Sequence, residues 1–174
     1  MIITTRYDLG KLAQHHNVTG RSAMIGIQYG AFEREIGKDY KGVIHCIDLW
    51  QDETIYQTAV KNLCEHGPNH ATYYLHRKAS LDAVSFFDDN SLDMVYIDAN
   101  HFYKEVLSDM DAWFAKVRSG GIFAGHDYCH YPDIEVIPAV NEWCEKHGYT
   151  FYLTTSERDS WNGVMFPSWI IVKR

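Results

Sequence analysis

The 174-residue chain is expected to fold as one α/β domain, a mostly parallel sheet with helices on both faces. Three observations predict it. Short, near-continuous apolar runs alternate with stretches of helical spacing. No linker, internal repeat or low-complexity tract divides the chain. Hydrophobic residues make up 46% and charged residues 22%, the balance of a folded domain able to bury a core.

Taken in order, the apolar runs that predict strands are 22–28, 43–48, 72–76, 94–98, 122–126, 150–155 and 168–173. Helical patterns fall between them at 32–38, 53–65, 80–87, 103–118 and 134–147. The fourth helix carries Val106, Met110, Trp113, Phe114 and Val117 on one stripe, with charged residues between them and Ser119-Gly120-Gly121 as a stop. In the fifth, Ile137, Val140, Trp143 and Cys144 form the stripe and Gly148 ends it. The last two strands are joined by an irregular loop, 156–167, and could pair antiparallel.

Charge and cysteine usage exclude several classes. A formal net charge of −7 without any Lys/Arg run argues against a bulk nucleic-acid partner. No apolar stretch is long enough to span a membrane, and the first residues lack the charged-then-apolar order of a secretory signal. Cys46, Cys64, Cys129 and Cys144 form no CxxC pair, so a reducing, cytoplasmic location is expected.

In an open α/β sheet, ligands bind outside the carboxyl ends of the strands. The first strand runs into Gly26-Ile27-Gln28-Tyr29-Gly30-Ala31-Phe32, a GxxxG turn that admits close backbone approach and opens a helix. The second ends in Asp48-Leu49-Trp50, where the acid is placed to accept ribose hydroxyls, or alternatively to cap the next helix. The fourth ends in Asp98-Ala99-Asn100-His101 and the fifth in His126-Asp127. Singly, each of these residues has an ordinary structural role as a cap, turn or packed histidine. Together at neighbouring strand ends, Asp98, His126 and Asp127 suit a divalent cation, and His101 suits a general base.

The run Asp93-Met94-Val95-Tyr96-Ile97-Asp98-Ala99-Asn100-His101-Phe102-Tyr103 and the later Gly120-Gly121-Ile122-Phe123-Ala124-Gly125-His126-Asp127-Tyr128 resemble a known family. With the glycine turn and Asp48, they look like the class I S-adenosylmethionine (SAM)-dependent methyltransferases, in particular methyltransferase family 24. That branch is similar to metal-dependent sugar O-methyltransferases. The resemblance implies a Rossmann-like three-layer sandwich over 1–174, with a seven-stranded sheet in the order 3-2-1-4-5-7-6 and strand 7 antiparallel. It implies SAM as cofactor. Gly26 and Gly30 would flank its methionine part, Asp48 would hold the ribose, and Leu49 and Trp50 would lie near the adenine, edged by Ala79 and Ser80. Gln28, Tyr29, Phe32 and Asp98 complete the implied cofactor set. Asp98 and Asp127 match metal-ligand positions for Mg²⁺ or Mn²⁺, with His126 beside them, and His101 matches the base.

Two positions depart from the family pattern. Met24 stands where relatives carry an acid that anchors the SAM amino group; either Gln28 or a residue of 19–21 compensates, or SAM binds weakly. His126 stands where metal-using relatives have Glu, which lowers the negative charge of the site and leaves a metal-free site open. The expected reaction is O-methylation of a small, sugar-like acceptor, with residues 1–20 and the 156–167 loop as lids and a homo-oligomer completing the pocket. The alternatives are a metal-dependent hydroxylase or hydrolase on the same fold, and a SAM-binding module without activity.

Overall fold

The structure, a computed structural model, describes residues 4–65, 70–155, 160–161 and 163–174. Its sheet is built from β1 (Arg21–Ile25), β2 (Val43–Asp48), β3 (Thr72–Arg77), β4 (Leu92–Ile97), β5 (Val117–Gly125), β6 (Tyr152–Leu153) and β9 (Trp169–Val172). A two-stranded hairpin, β7 (Ser160–Trp161) and β8 (Val164–Met165), stands apart. The large sheet has the order β3-β2-β1-β4-β5-β9-β6. Counting only its own seven strands, that is 3-2-1-4-5-7-6. The last strand runs antiparallel to both neighbours, as Phe123↔Ile171 and Tyr152↔Ile170 show.

Side-chain alternation sorts the core into two layers. On β4, Val95 and Ile97 enter one cluster, with Met110, Trp113, Phe123 and Trp143. Met94 and Tyr96 enter the other, with Met24, Ile44, Cys46 and Ile36. Helices α5 (Tyr103–Phe114) and α6 (Val136–His147) cover the first face; α1 (Leu9–His15), α2 (Ala31–Ile36) and α3 (Glu53–Val60) cover the second. Trp113, Trp143 and Trp169 are wholly buried. Truncating a buried Trp to Ala typically costs about 3–5 kcal/mol, so the first face holds much of the stability.

Three local expectations need correction. The fourth predicted helix ends at Phe114 rather than continuing to Arg118, because Val117 already pairs with Leu92 in the sheet. Ser119-Gly120-Gly121 is therefore an irregularity within β5: Gly120 has φ +75°, and a Cβ on Gly121 would lie 2.8 Å from the Asp93 carbonyl. Second, the 53–65 helix changes to a π-turn over Lys61–Glu65. Third, the N-terminal stretch, expected as a lid, contains a helix, α1. Leu9, Leu12 and Ala13 of α1 are buried together with Val18, so this part of the segment is anchored in the core. Residues 1–3, 156–159 and 162 and the Trp161 side chain lie outside the described residues, and the lid reading falls partly on them.

Candidate functional site

Across the carboxyl ends of β1, β2, β3 and β4 lies a cavity of about 1030 Å³. The glycine turn forms its floor. Gly26 has φ +83°, and a Cβ there would sit 1.9 Å from the Asp98 carbonyl oxygen, so β1 and β4 can approach only without a side chain. Gln28, Gly30 and Asp127 also have positive φ. Backbone held in this region clusters at functional sites, because the surroundings must enforce it.

Asp48 enforces the turn. Its Oδ2 accepts from the backbone N–H of Ile27 at 2.8 Å and Gln28 at 2.9 Å, and its Oδ1 from Trp50 at 2.8 Å. A carboxylate offers about four acceptor positions, so at least one remains for a ligand hydroxyl. Gln28, Tyr29, Phe32, Leu49, Ala79, Ser80, Asp98 and His101 line the cavity with it. Gly30 and Trp50 do not. Gly30 packs against Leu63. Trp50 is turned into the core, where its Nε1–H donates to the Gln28 carbonyl at 2.8 Å and its ring tilts against Tyr56. An indole with one N–H is most stable where that N–H finds a partner, and here the partner is inside.

At the β3 side, the Ser80 hydroxyl donates to Asp109 at 2.5 Å and accepts from Trp113 Nε1–H at 2.8 Å. Burial pushes the Asp109 carboxyl up to about 6, against the Ser80 hydrogen bond. At the β4 side the four predicted polar residues converge. His101 Nε2 lies 2.7 Å from Asp127 Oδ2 and 3.9 Å from Asp98 Oδ1. His126 Nδ1 lies 2.9 Å from Asp127 Oδ1 and 3.8 Å from Asp98 Oδ1. The set that can converge on one ion, with ligand atoms within 4.8 Å of each other, is Asp98, His101 and Asp127. His126 stands behind Asp127, buried and outside the large cavity, and serves it as a partner.

Electrostatics alter the expected role of His101. The Asp127 carboxylate 2.7 Å away, and then that of Asp98, favour the charged imidazole more than burial disfavours it and raise it to about 10. Burial works against the Asp127 charge, but His101 and His126 together hold its carboxyl well below the usual range. His101 is thus an imidazolium at neutral pH, and must lose a proton before it can act as a base.

Two wall residues had no signal in the sequence. Arg6 reaches Asp98 across 92 positions, its guanidinium 3.0 Å from Oδ2 and stacked 4.8 Å over the Phe32 ring. Glu33, from the first turn of α2, lines the cavity while nearly fully buried. A charged residue in an exposed-looking helix start, or one near a terminus, carries no pattern that reveals such a placement.

Known proteins are similar to this chain in sequence or in fold. An uncharacterized protein of Acanthamoeba polyphaga mimivirus is 31% identical over 96 residues, 53% of this chain and 42% of its own. The chain thus spans less than half the length of this curated relative. The O-methyltransferase TomG from Streptomyces achromogenes, of tomaymycin synthesis and solved with SAM, aligns with TM-score 0.70 and 18% identity over 97% of this chain and 79% of that one. An O-methyltransferase from Bacillus cereus, solved with S-adenosylhomocysteine (SAH), aligns with TM-score 0.71 and 14% identity over 97% and 80%. The family model described as a methyltransferase domain, methyltransferase family 24, matches residues 20–128. As that match covers more than half of the chain, from β1 through the end of β5, this protein belongs to methyltransferase family 24 and has the class I methyltransferase fold.

Proposed function

We propose that the protein is a SAM-dependent methyltransferase that O-methylates a small, hydroxylated, sugar-like acceptor. The observation that carries this is one continuous cavity with the glycine turn and Asp48 at its floor and the Asp98–His101 pair at its β4 end. Family membership and two similar structures solved with SAM or SAH support the cofactor. The same membership favours methyl transfer over hydroxylase or hydrolase chemistry and over a module without activity.

In this reading the cofactor lies across the carboxyl ends of β1 and β2. Gly26 and Gln28 border its methionine part, Asp48 accepts a ribose hydroxyl, and Leu49, Ala79 and Ser80 border the adenine. Tyr29 and Phe32 close the sides. The acceptor hydroxyl is held at the Asp98 end, where neutral His101 removes its proton as the oxygen attacks the methyl carbon. Methyl transfer from a sulfonium needs mainly alignment of the acceptor oxygen with the methyl carbon and exclusion of water.

The carboxylates of Asp98 and Asp127 would hold a cation such as Mg²⁺ or Mn²⁺ in place of Arg6, with His101 beside them left free to act as the base. When bound there, a divalent ion would lower the pKa of a hydroxyl it touches. Arg6, on the segment before α1, covers the cavity beside Asp98 and Phe32. A second copy of the chain completes the open side of the cavity. Four free cysteines support a reducing, cytoplasmic setting. Among the described residues no helix is long and apolar enough to cross a membrane.

The test is calorimetric titration of the protein with SAM and SAH, without and with Mn²⁺, followed by transfer of labelled methyl groups to a panel of small polyols. Micromolar binding and labelled ether product are expected. No heat with either nucleoside under any condition would remove the cofactor from the proposal.

A further inference from the structure

One side chain of the cavity takes no part in the proposed methyl transfer. Glu33 is 2% exposed, yet it lines the cavity, and its Oε2 has no hydrogen-bond partner among the described residues. A buried carboxylate oxygen without a partner is costly, and native structures retain one chiefly where something else binds.

The other carboxylates around the cavity are accounted for. Asp48 is satisfied by three backbone N–H groups, Asp98 by Arg6, and Asp109 by Ser80. Asp82 and Glu105 are exposed to water. Glu33 alone among these six is both buried and open at one oxygen. Burial pushes its carboxyl up to about 8; a hydrogen bond from its own backbone and the charge of Arg6 work against this, while nearby Asp98 and Asp48 add to the rise.

Its position says what kind of group would complete it. Glu33 follows the glycine turn on α2, and its field is felt at Cys46, on the sheet face that also carries Met24. It therefore lies at the glycine-turn end of the cavity, away from Ala79 and Ser80. A cationic group that donates hydrogen bonds would complete it, favouring the ionised carboxyl by filling its open acceptor and offsetting its charge. Backbone donors of the turn are already committed to Asp48.

We propose that Glu33 receives the α-ammonium group of the bound SAM. This rests on the methyltransferase reading of the cavity. It gives the ammonium a carboxylate that β1, whose Met24 is wholly buried, does not offer. The ammonium fills the open acceptor on Oε2, and the ion pair forms in a water-poor recess where it is strong.

The experiment titrates the wild type, Glu33→Gln and Glu33→Met with SAM, SAH and 5′-methylthioadenosine, which lacks the amino-acid part. Loss of a charge-assisted hydrogen bond is expected to weaken SAM and SAH by about 10- to 100-fold and to leave methylthioadenosine unchanged. Equal weakening of all three, or full retention of SAH affinity in both variants, overturns the assignment. So does loss of folding in both variants, which would make Glu33 a structural group. If the wild type itself binds none of the three, the methyltransferase reading fails first and this inference with it.

Discussion

Replacing Gly26 by Ala tests whether the β1–β4 contact builds the site. Two costs add. At φ +83° an L-residue is strained by about 1–2 kcal/mol. The new Cβ would also stand 1.9 Å from the Asp98 carbonyl oxygen and 2.5 Å from its carbon, so strand ends must separate by more than 1 Å. Overpacking of that kind costs about 1–3 kcal/mol. The sum, about 2–5 kcal/mol, is a large part of the 5–15 kcal/mol that holds a typical domain. For a chain of this size it corresponds to a fall in Tm of roughly 4–20 °C. Gly148→Ala is the control. It has φ +70° with nothing within 4 Å of the added Cβ, so it bears the backbone strain alone. Urea melts and SAH titrations of both variants separate the terms. Gly26→Ala is expected to lose markedly more stability than Gly148→Ala and to lose SAH binding, while Gly148→Ala binds normally. Equal destabilisation, or normal SAH affinity in Gly26→Ala, would refute the claim that close approach at Gly26 shapes the cavity.

Other consequences are open to direct measurement. Because His101 is raised to about 10 by Asp127 and Asp98, its basic form is scarce at pH 7 and the methyl-transfer rate should climb about tenfold per unit above neutrality; a rate flat from pH 6 to 9 removes His101 as the base. Arg6→Met takes a cation from beside Asp98 and should tighten Mn²⁺ binding by about tenfold in a calorimetric titration; unchanged or weaker binding means Asp98 is not a ligand. Glu33 has its folded value raised to about 8 from an ordinary 4.5, so its stabilising contribution is present below about 4.5 and is lost as pH rises through 8. Glu33→Gln should therefore gain stability over the wild type across that window in urea melts, and a constant difference would show the carboxyl is not titrating with folding.

Much of this protein was legible in the chain because the signals were periodic or local. Strand β2 was bounded at Val43–Asp48 by apolar residues and the acid that ends them, and the order of strands followed from the family resemblance. The stripe of α5 was found, but its end was misplaced. Val117 fits a helical stripe as well as a strand, and only pairing with Leu92 decides between them. Asp98, His126 and Asp127, with His101 beside them, were legible as neighbours because strand ends in a parallel sheet share one rim; that His101 rather than His126 joins the two carboxylates within 4.8 Å was not.

What the amino-acid order determined, then, is everything that depends on neighbours along the chain: alternation, helical stripes, the glycine turn and the residues that close each strand. Tertiary structure decided which polar atoms face one another. It brought Arg6 onto Asp98, turned Trp50 inward, set His126 behind Asp127 and left Glu33 open beneath the cavity. The physical reason is that charge pairing and desolvation depend on distances of a few ångströms between residues far apart in sequence, and no local pattern encodes those distances.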